Sequence, residues 1–259
     1  THRPVLRSSA CPDGPARRWP PLCRAVVLAA ALVFAGVATV SAQPEELPLG
    51  SPMLAVDEPL VNVRSGDAVP VDDLPGDAAT VFIFWSNQCP WVDKYEERVQ
   101  ELVAAVQGDA VSVVLVNAND ASAFPRESLE ASRTRAEDAG IDATYVRDPQ
   151  GALASALGAS RTPHAFVFDD AQTLVYAGAI DDSPADASAV SKPYLRTAVE
   201  AVLAGDPVPT PDTKAFGCTI KRLRARNPST PETMRGLQAG PEPVRFPRAG
   251  GCERALAPD

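Results

Sequence analysis

Cysteine is the residue type in this sequence best placed to do chemistry, and there are five cysteines and only two histidines. Cys11 and Cys23 fall within the first 42 residues, which carry the marks of an export signal, leaving Cys89, Cys218 and Cys252. Three is odd, so at most one intramolecular pair can form and one thiol is left over. Cys89 stands in FWSNQCPW (84–91), between an apolar run and a helical pattern, with Pro90 directly after it. A helix's first turn presents free N–H groups and the positive end of its dipole, and both favour the thiolate, which is the nucleophile, over the thiol. Proline suits the first helical position because it has no N–H to leave unpaired there, so the helix is expected to start at Pro90. The alternative is that Cys89 is a small buried core residue. Its place at a strand-to-helix switch, where ligands of α/β sheets gather, favours reactivity.

Other candidates are arranged around this one. Ser86 lies three residues before Cys89, and His164 is the only histidine after residue 42. An imidazole there suits proton transfer or a structural role, while Cys89 and His164 together supply two ligands, short of a zinc set, so no metal is expected. Asp181 and Asp182 are further carboxylates, although acidic turn residues are usually just solvated. Cys218 sits in TKAFGCTIKR (213–222), where Phe216 and Ile220 flank it like anchors and Gly217 permits close approach. If residues 207–217, with Pro207, Pro209 and Pro211, wrap back across the domain, Cys218 can reach Cys89 or pair with Cys252. A Cys89–Cys218 bridge would close a loop of about 130 residues. A redox pair and a structural staple both remain open.

The elements that must position these residues are legible from periodicity. Thr80–Trp85 (TVFIFW) and Val111–Val116 (VSVVLV) are continuous apolar runs that suit strands covered on both faces. Between them Val92, Tyr95, Val99, Leu102, Val103 and Val106 draw one stripe on a helix that Gly108 ends. Two such strands joined by a crossover helix are expected to be parallel. Leu60–Val63 and Val69–Val71 read as a lead-in hairpin, residues 126–139 as an exposed helix, Thr144–Val146 as a short strand and Pro149–Leu157 as a short helix. His164–Phe168 and Thr173–Tyr176 form an antiparallel hairpin, and Lys192–Leu203 is a last amphipathic helix stopped by Gly205.

Composition sets the domain plan. Arg17, Arg18 and Arg24 precede the apolar run AVVLAAALVFAGVATV (25–40), and Val40-Ser41-Ala42 is a small-x-small cleavage site, so residues 1–42 read as a signal peptide. The run is short for a membrane span, so cleavage and a periplasmic or secreted protein are expected, with an uncleaved membrane anchor as the alternative. Residues 43–59 are Pro-rich and aperiodic, a linker; 60–206 form the domain; 207–223 are an extension packing on it; 224–259 are expected to be a disordered tail. Residues 43–218 hold 28 acidic and 11 basic residues, a formal −17, whereas 219–259 hold 4 acidic and 8 basic, a formal +4. An acidic body argues against nucleic acid or anionic lipid as its partner.

Taken together, the buried strand, Phe84-Trp85, Cys89 at a helix start and Thr162-Pro163 before a late strand resemble the thioredoxin superfamily. More narrowly the chain resembles extracytoplasmic redoxins of the alkyl-hydroperoxide-reductase/thiol-specific-antioxidant type, in NQCPWVDKYEERV (87–99), SRTPHAFVFD (160–169), VYAGAIDD (175–182) and TKAFGCTIKR. The resemblance implies an α/β thioredoxin-like fold, a mixed central sheet with helices on both faces. It also implies a cis Thr162-Pro163 bond beside Cys89, and a substrate groove of Thr162, Pro163, Trp85 and Trp91. No cofactor is called for.

The sequence also departs from that pattern. Val92 stands where a Cys-x-x-Cys motif has its second cysteine, and Ser86 where many relatives have one three residues before Cys89. A peroxide-reducing site of this family needs a hydroxyl, a proline and an arginine; Ser86 fits, Phe82 replaces the proline, and Arg161 or Arg147 is left to supply the guanidinium. Ile83 occupies the place of thioredoxin's buried acid. The expected activity is therefore thiol–disulfide exchange at Cys89, with Cys218 as the candidate resolving thiol, protein disulfides as substrates and an unidentified thiol as electron donor. Peroxide reduction and non-enzymatic peptide binding are the alternatives. The two chemical readings require an accessible sulfur at the mouth of an open groove.

Overall fold

The computed structural model describes residues 45–106 and 110–222. The expected signal peptide, the disordered tail, Cys11, Cys23, Cys252 and Gly108 lie outside the described residues.

A seven-stranded mixed sheet organises the domain around β3 (Ala79–Phe84). All six of its residues are buried, which is why its sequence is apolar throughout and not alternating. It pairs in parallel with β4 (Val111–Asn117), from Ala79 opposite Val111 to Phe84 opposite Val116. On its other side it runs antiparallel to β7 (His164–Phe168), Thr80 facing Phe168 and Phe84 facing His164. β8 (Leu174–Gly178) closes the hairpin with β7. Beyond β4 come β5 (Thr144–Arg147), parallel to it, then β1 (Leu60–Asn62) and β2 (Ala68–Val69). Two further short strands, β6 (Arg161–Thr162) and β9 (Cys218–Thr219), pair with each other outside the main sheet.

The period of two along each strand divides the core into two layers. Val81, Ile83 and Trp85 face α1 (Pro90–Val106) and α4 (Tyr194–Ala204), together with Cys89, Ala165 and Val167. α1 buries Val92, Tyr95, Val99, Leu102 and Val106, the stripe its spacing predicts. Phe82 and Phe84 face the other way and meet Phe168 and Phe166 edge to face, with centroids 6.1 and 5.7 Å apart. α3 (Ala152–Ala156) covers this second layer through Leu153 and Ala154. α2 (Leu129–Asp138) is more polar, is capped by Ser128 accepting from the Ala131 N–H, and lays Ala136 on the α1 layer. The α/β architecture with helices on both faces is the expected thioredoxin-like one. Among the described residues no helix is long and apolar enough to cross a membrane.

Several expectations are corrected. Val71 leads a 3₁₀ turn (Val71–Asp73) and not a strand. The helix expected over 126–139 starts at Leu129, after a separate 3₁₀ turn at Pro125–Glu127. From residue 45 the stretch expected to be a linker is docked: the Leu47 N–H donates to Leu157 O, Gly50 N–H to Leu174 O and Met53 N–H to Gln172 O. Leu47 is buried against α3's layer. Backbone hydrogen bonds hold this segment, so it needs no hydrophobic period.

Residues 207–222 run back over the domain as a strap. Thr213 N–H donates to Ala177 O and Ala177 N–H to Pro211 O. Gly178 makes this possible: a Cβ there would lie 2.1 Å from Thr213 Oγ1, and its φ is +145°. At the far end Ile220 is buried in the second layer, its N–H donates to Ser160 O, and Lys221 O accepts from the Asp120 N–H.

Candidate functional site

Cys89 immediately precedes α1, and its carbonyl accepts from the Val92 and Asp93 N–H groups at 2.9 and 3.3 Å, the first bonds of the helix. Its thiol donates to the Thr162 carbonyl at 3.1 Å, a bond the protonated sulfur makes. The Thr162–Pro163 peptide bond is cis. Thr162 is also the residue that pairs with Cys218 in the β6–β9 ladder. One backbone position therefore gathers both cysteines, and Cys218 packs against the buried cluster that contains Cys89. Both are free thiols. Burial pushes the Cys218 thiol up to about 11, and Cys89 beside it adds to the shift by hydrogen bond and by charge.

The strap fits closely here. A Cβ on Gly217 would lie 2.1 Å from Thr162 O, and the residue's φ of +154° suits glycine, so no other residue could bring Cys218 along this path without a shift. Phe216 packs edge to face on Trp91, centroids 4.7 Å apart. Arg161 Nη1 reaches Gly217 O at 3.4 Å and Thr219 Oγ1 at 3.2 Å. The consequence overturns one expectation: Cys89 is 0% exposed, so its sulfur is not at an open groove mouth.

Seven other expected residues take the following places. His164 stacks on Phe166, centroids 4.3 Å apart, and so belongs to the face of the sheet opposite Cys89. It is 1% exposed, with burial lowering it to about 4, and among the described residues its two ring nitrogens have no hydrogen-bond partner. The Glu46 carboxylate lies 3.4 Å from Nε2 but is 41% exposed and does not offset that burial. An imidazole on the far face of the sheet is out of reach of the Cys89 proton, so His164 does not fill the expected proton-transfer role. Trp85 is 1% exposed within the α1 layer and is a core residue, not a groove wall. Ser86 donates to Glu127 Oε1 at 2.6 Å, so the expected hydroxyl of a peroxide site is committed elsewhere. Arg147 donates to Asn119 O, and Arg161 to the strap. Asp181 accepts from Tyr95 Oη and pairs with Arg98, while Asp182 accepts from the Ser191 and Lys192 N–H groups.

Sequence reasoning missed Glu127. Its carboxylate is 0% exposed and accepts from Ser86 Oγ, from the Asn87 N–H at 2.9 Å and from Asn117 Nδ2 at 2.9 Å, with Lys221 Nζ 3.9 Å away. A buried charge needs such a set of partners. It ties the loop before Cys89 to β4 and to the strap three residues past Cys218. A glutamate in Pro-Arg-Glu-Ser carries no local sign of this, since turn carboxylates are ordinarily solvated.

The sequence profile of the AhpC/TSA family matches residues 55–177. Among solved structures, an uncharacterized conserved protein from Geobacillus kaustophilus is 35% identical, with a TM-score of 0.64, over 71% of this chain and 94% of that one. A hypothetical protein from Sinorhizobium meliloti 1021 is 33% identical, with a TM-score of 0.63, over 69% of this chain and 96% of that one. No curated protein matches. With Cys89 ahead of α1 and the cis Thr162–Pro163 bond against it, the chain belongs to the AhpC/TSA family, as a thioredoxin-like redoxin.

Proposed function

We propose that this redoxin is an exported thiol–disulfide oxidoreductase whose working pair is Cys89 and Cys218. The observation that carries the reading is the pairing of Thr162 with Cys218, which sets the second sulfur against the first without a Cys-x-x-Cys motif. Export rests on the sequence of residues 1–42 alone, and an uncleaved anchor would leave the same chemistry facing the periplasm.

In the cycle, the strap segment paired to Thr162 first moves aside from the buried Cys89, and the Cys89 sulfur, after giving up its proton, attacks one sulfur of a client disulfide. A Cys89–client mixed disulfide forms and the other client sulfur leaves as a thiolate. Cys218, deprotonated in turn, attacks the Cys89 sulfur, and the client's remaining sulfur leaves and takes up a proton. The client has gained two electrons, Cys89–Cys218 has become a disulfide, and an external dithiol must reduce it. Cys218 becomes easier to ionise at that step, because Cys89 in a mixed disulfide no longer bears the charge that disfavours a thiolate beside it. Peroxide reduction draws less support, since Ser86 donates to Glu127 and the two candidate arginines, Arg147 and Arg161, donate to the Asn119 and Gly217 carbonyls. Pure peptide binding leaves the juxtaposed thiols without a purpose.

The test is oxidation of the full chain with oxidised glutathione, followed by mass mapping. A Cys89–Cys218 disulfide is expected, together with loss of insulin-reducing activity in Cys89→Ser and trapping of glutathione on Cys89 in Cys218→Ser. Cys89 joined to nothing, or Cys218 joined elsewhere, would end the proposal.

A further inference from the structure

The strap lies along the backbone edge of β6 beside Cys89. Thr162 has one open backbone edge beside Cys89, and Cys218–Thr219 already fill it as β9. The burial of Cys89 follows, as do the contacts of Phe216 with Trp91 and of Gly217 with Thr162 O. The strap is held firmly at both ends. Thr213 is fixed by Ala177 and by Tyr176, and beyond the site Ile220, Lys221 and Arg222 are held by Ser160, Asn119 and Ala154. Between those anchors lie six residues, 214–219, of which Lys214, Phe216 and Thr219 are exposed. Phe216 is 47% exposed although it is the largest side chain in the segment. A segment tied at its ends and lightly covered in its middle is suited to local opening at a cost below that of global unfolding.

Building on the redox-pair reading, we propose that residues 214–219 are an in-cis occupant of the groove and that clients enter by strand exchange. The client is an extended polypeptide with a small residue immediately before its reacting cysteine and an aromatic residue two before it, set on Trp91 where Phe216 now sits. Trp91 is thus the specificity-determining residue. The strap's return completes the cycle: Cys218 again pairs with Thr162, its sulfur attacks Cys89, the Cys89–client bond breaks and the client leaves as a thiol. The same movement delivers the resolving sulfur and expels the product strand.

The experiment reads Cys89 alkylation by iodoacetamide in the reduced full chain, by mass mapping. Gly217→Val puts side-chain atoms where Thr162 O lies and should speed alkylation of Cys89 at least about tenfold by unseating the segment. A peptide of residues 213–222 carrying Cys218→Ser, added to that variant, should slow alkylation again. The same peptide with Phe216→Ala should need about fivefold more to do so, the scale of one aromatic pair. Should Gly217→Val fail to fold by circular dichroism, Phe216→Ala in the chain, an exposed substitution, should still raise the rate about twofold or more. An unchanged rate in whichever variant folds overturns the inference, as does a peptide that gives no protection. Disulfide mapping of the wild-type chain separates the two ideas. A Cys89–Cys218 bond with no rate change sinks strand exchange alone, and faster alkylation in a chain that never forms the bond sinks the redox pair alone.

Discussion

His164 offers a sharp test of the placement of groups around the sheet. The imidazole is buried, neutral and stacked on Phe166, and burial lowers it from the ordinary 6.5 to about 4. Between those two pH values the unfolded chain binds a proton that the folded chain does not, so stability falls as pH drops from 6.5 towards 4. The gap corresponds to about 3 kcal/mol at 1.36 kcal/mol per pH unit, with a slope approaching about 1.4 kcal/mol per unit inside the window. Above 6.5 this contribution is flat, and below 4 the loss is complete. The perturbation is His164→Phe, which keeps an aromatic ring of similar size beside Phe166 and removes the titration. Urea unfolding of both proteins from pH 7.5 to 4.5 should give stabilities that diverge by up to about 2.5 kcal/mol, the wild type losing more at the acid end. Carboxylates common to both chains cancel in the difference, apart from Glu46, whose own value burial raises. Parallel curves would refute the buried neutral imidazole. The same variant should leave the pH profile of Cys89 alkylation unmoved, because the ring lies on the other face of the sheet; a lost inflection near pH 6 would return His164 to the chemistry.

Three further outcomes follow from the strap and its supports. In Cys89→Ser the pH midpoint for alkylation of Cys218 should fall below about 11, since the neighbouring sulfur's contribution is gone, yet stay above an ordinary thiol because burial remains; an unmoved midpoint would mean the sulfurs do not interact. Glu127→Ala strips the acceptor from Ser86, Asn87 and Asn117 and should cost about 3–5 kcal/mol in urea unfolding, whereas a loss under about 1 kcal/mol would show the buried carboxylate to be incidental. Gly178→Ala forces a Cβ to within 2.1 Å of Thr213 Oγ1 and should lower the yield of the Cys89–Cys218 disulfide by loosening the strap, with unchanged yield counting against the anchoring role.

What the sequence shows of this fold is what depends on near neighbours along the chain. The strand of Ala79–Phe84, the stripe of α1 and the β7–β8 hairpin are read directly because burial on both faces, or a three-and-four spacing, is written within each segment. Residues 45–56 give no such pattern, since backbone hydrogen bonds to α3 and the hairpin hold them, and any sequence can supply those. The face of His164 depends on register: it shares a side with Phe166 by alternation, but only the pairing of Phe84 with His164 fixes that side as the one away from Cys89. Glu127 and the covering of Cys89 are non-local in the same sense. In each case the decisive partner lies tens of residues away, and the residue itself looks ordinary in its own stretch.

Under the proposed redox pair, the strap also accounts for the lack of a local dithiol. Val92, three residues after Cys89, is fully buried in the α1 layer, so the position that a Cys-x-x-Cys motif would use is given to packing. The second sulfur must then come from elsewhere, and from a chain segment about 130 residues distant it would ordinarily arrive only against a loop-closure cost. Here folding itself has met that cost before any reaction starts, because Thr213 and Ile220 are fixed on either side of Cys218 by β8 and by Ser160. Only six residues have freedom between the anchors, which keeps the resolving sulfur at an effective concentration on the order of millimolar or above. A local motif fixes two sulfurs on one helix turn, where a client must approach both together. Under the proposed strand exchange, placing the second on the strap would let the same residues cover the first when no client is present and displace the client once it has reacted.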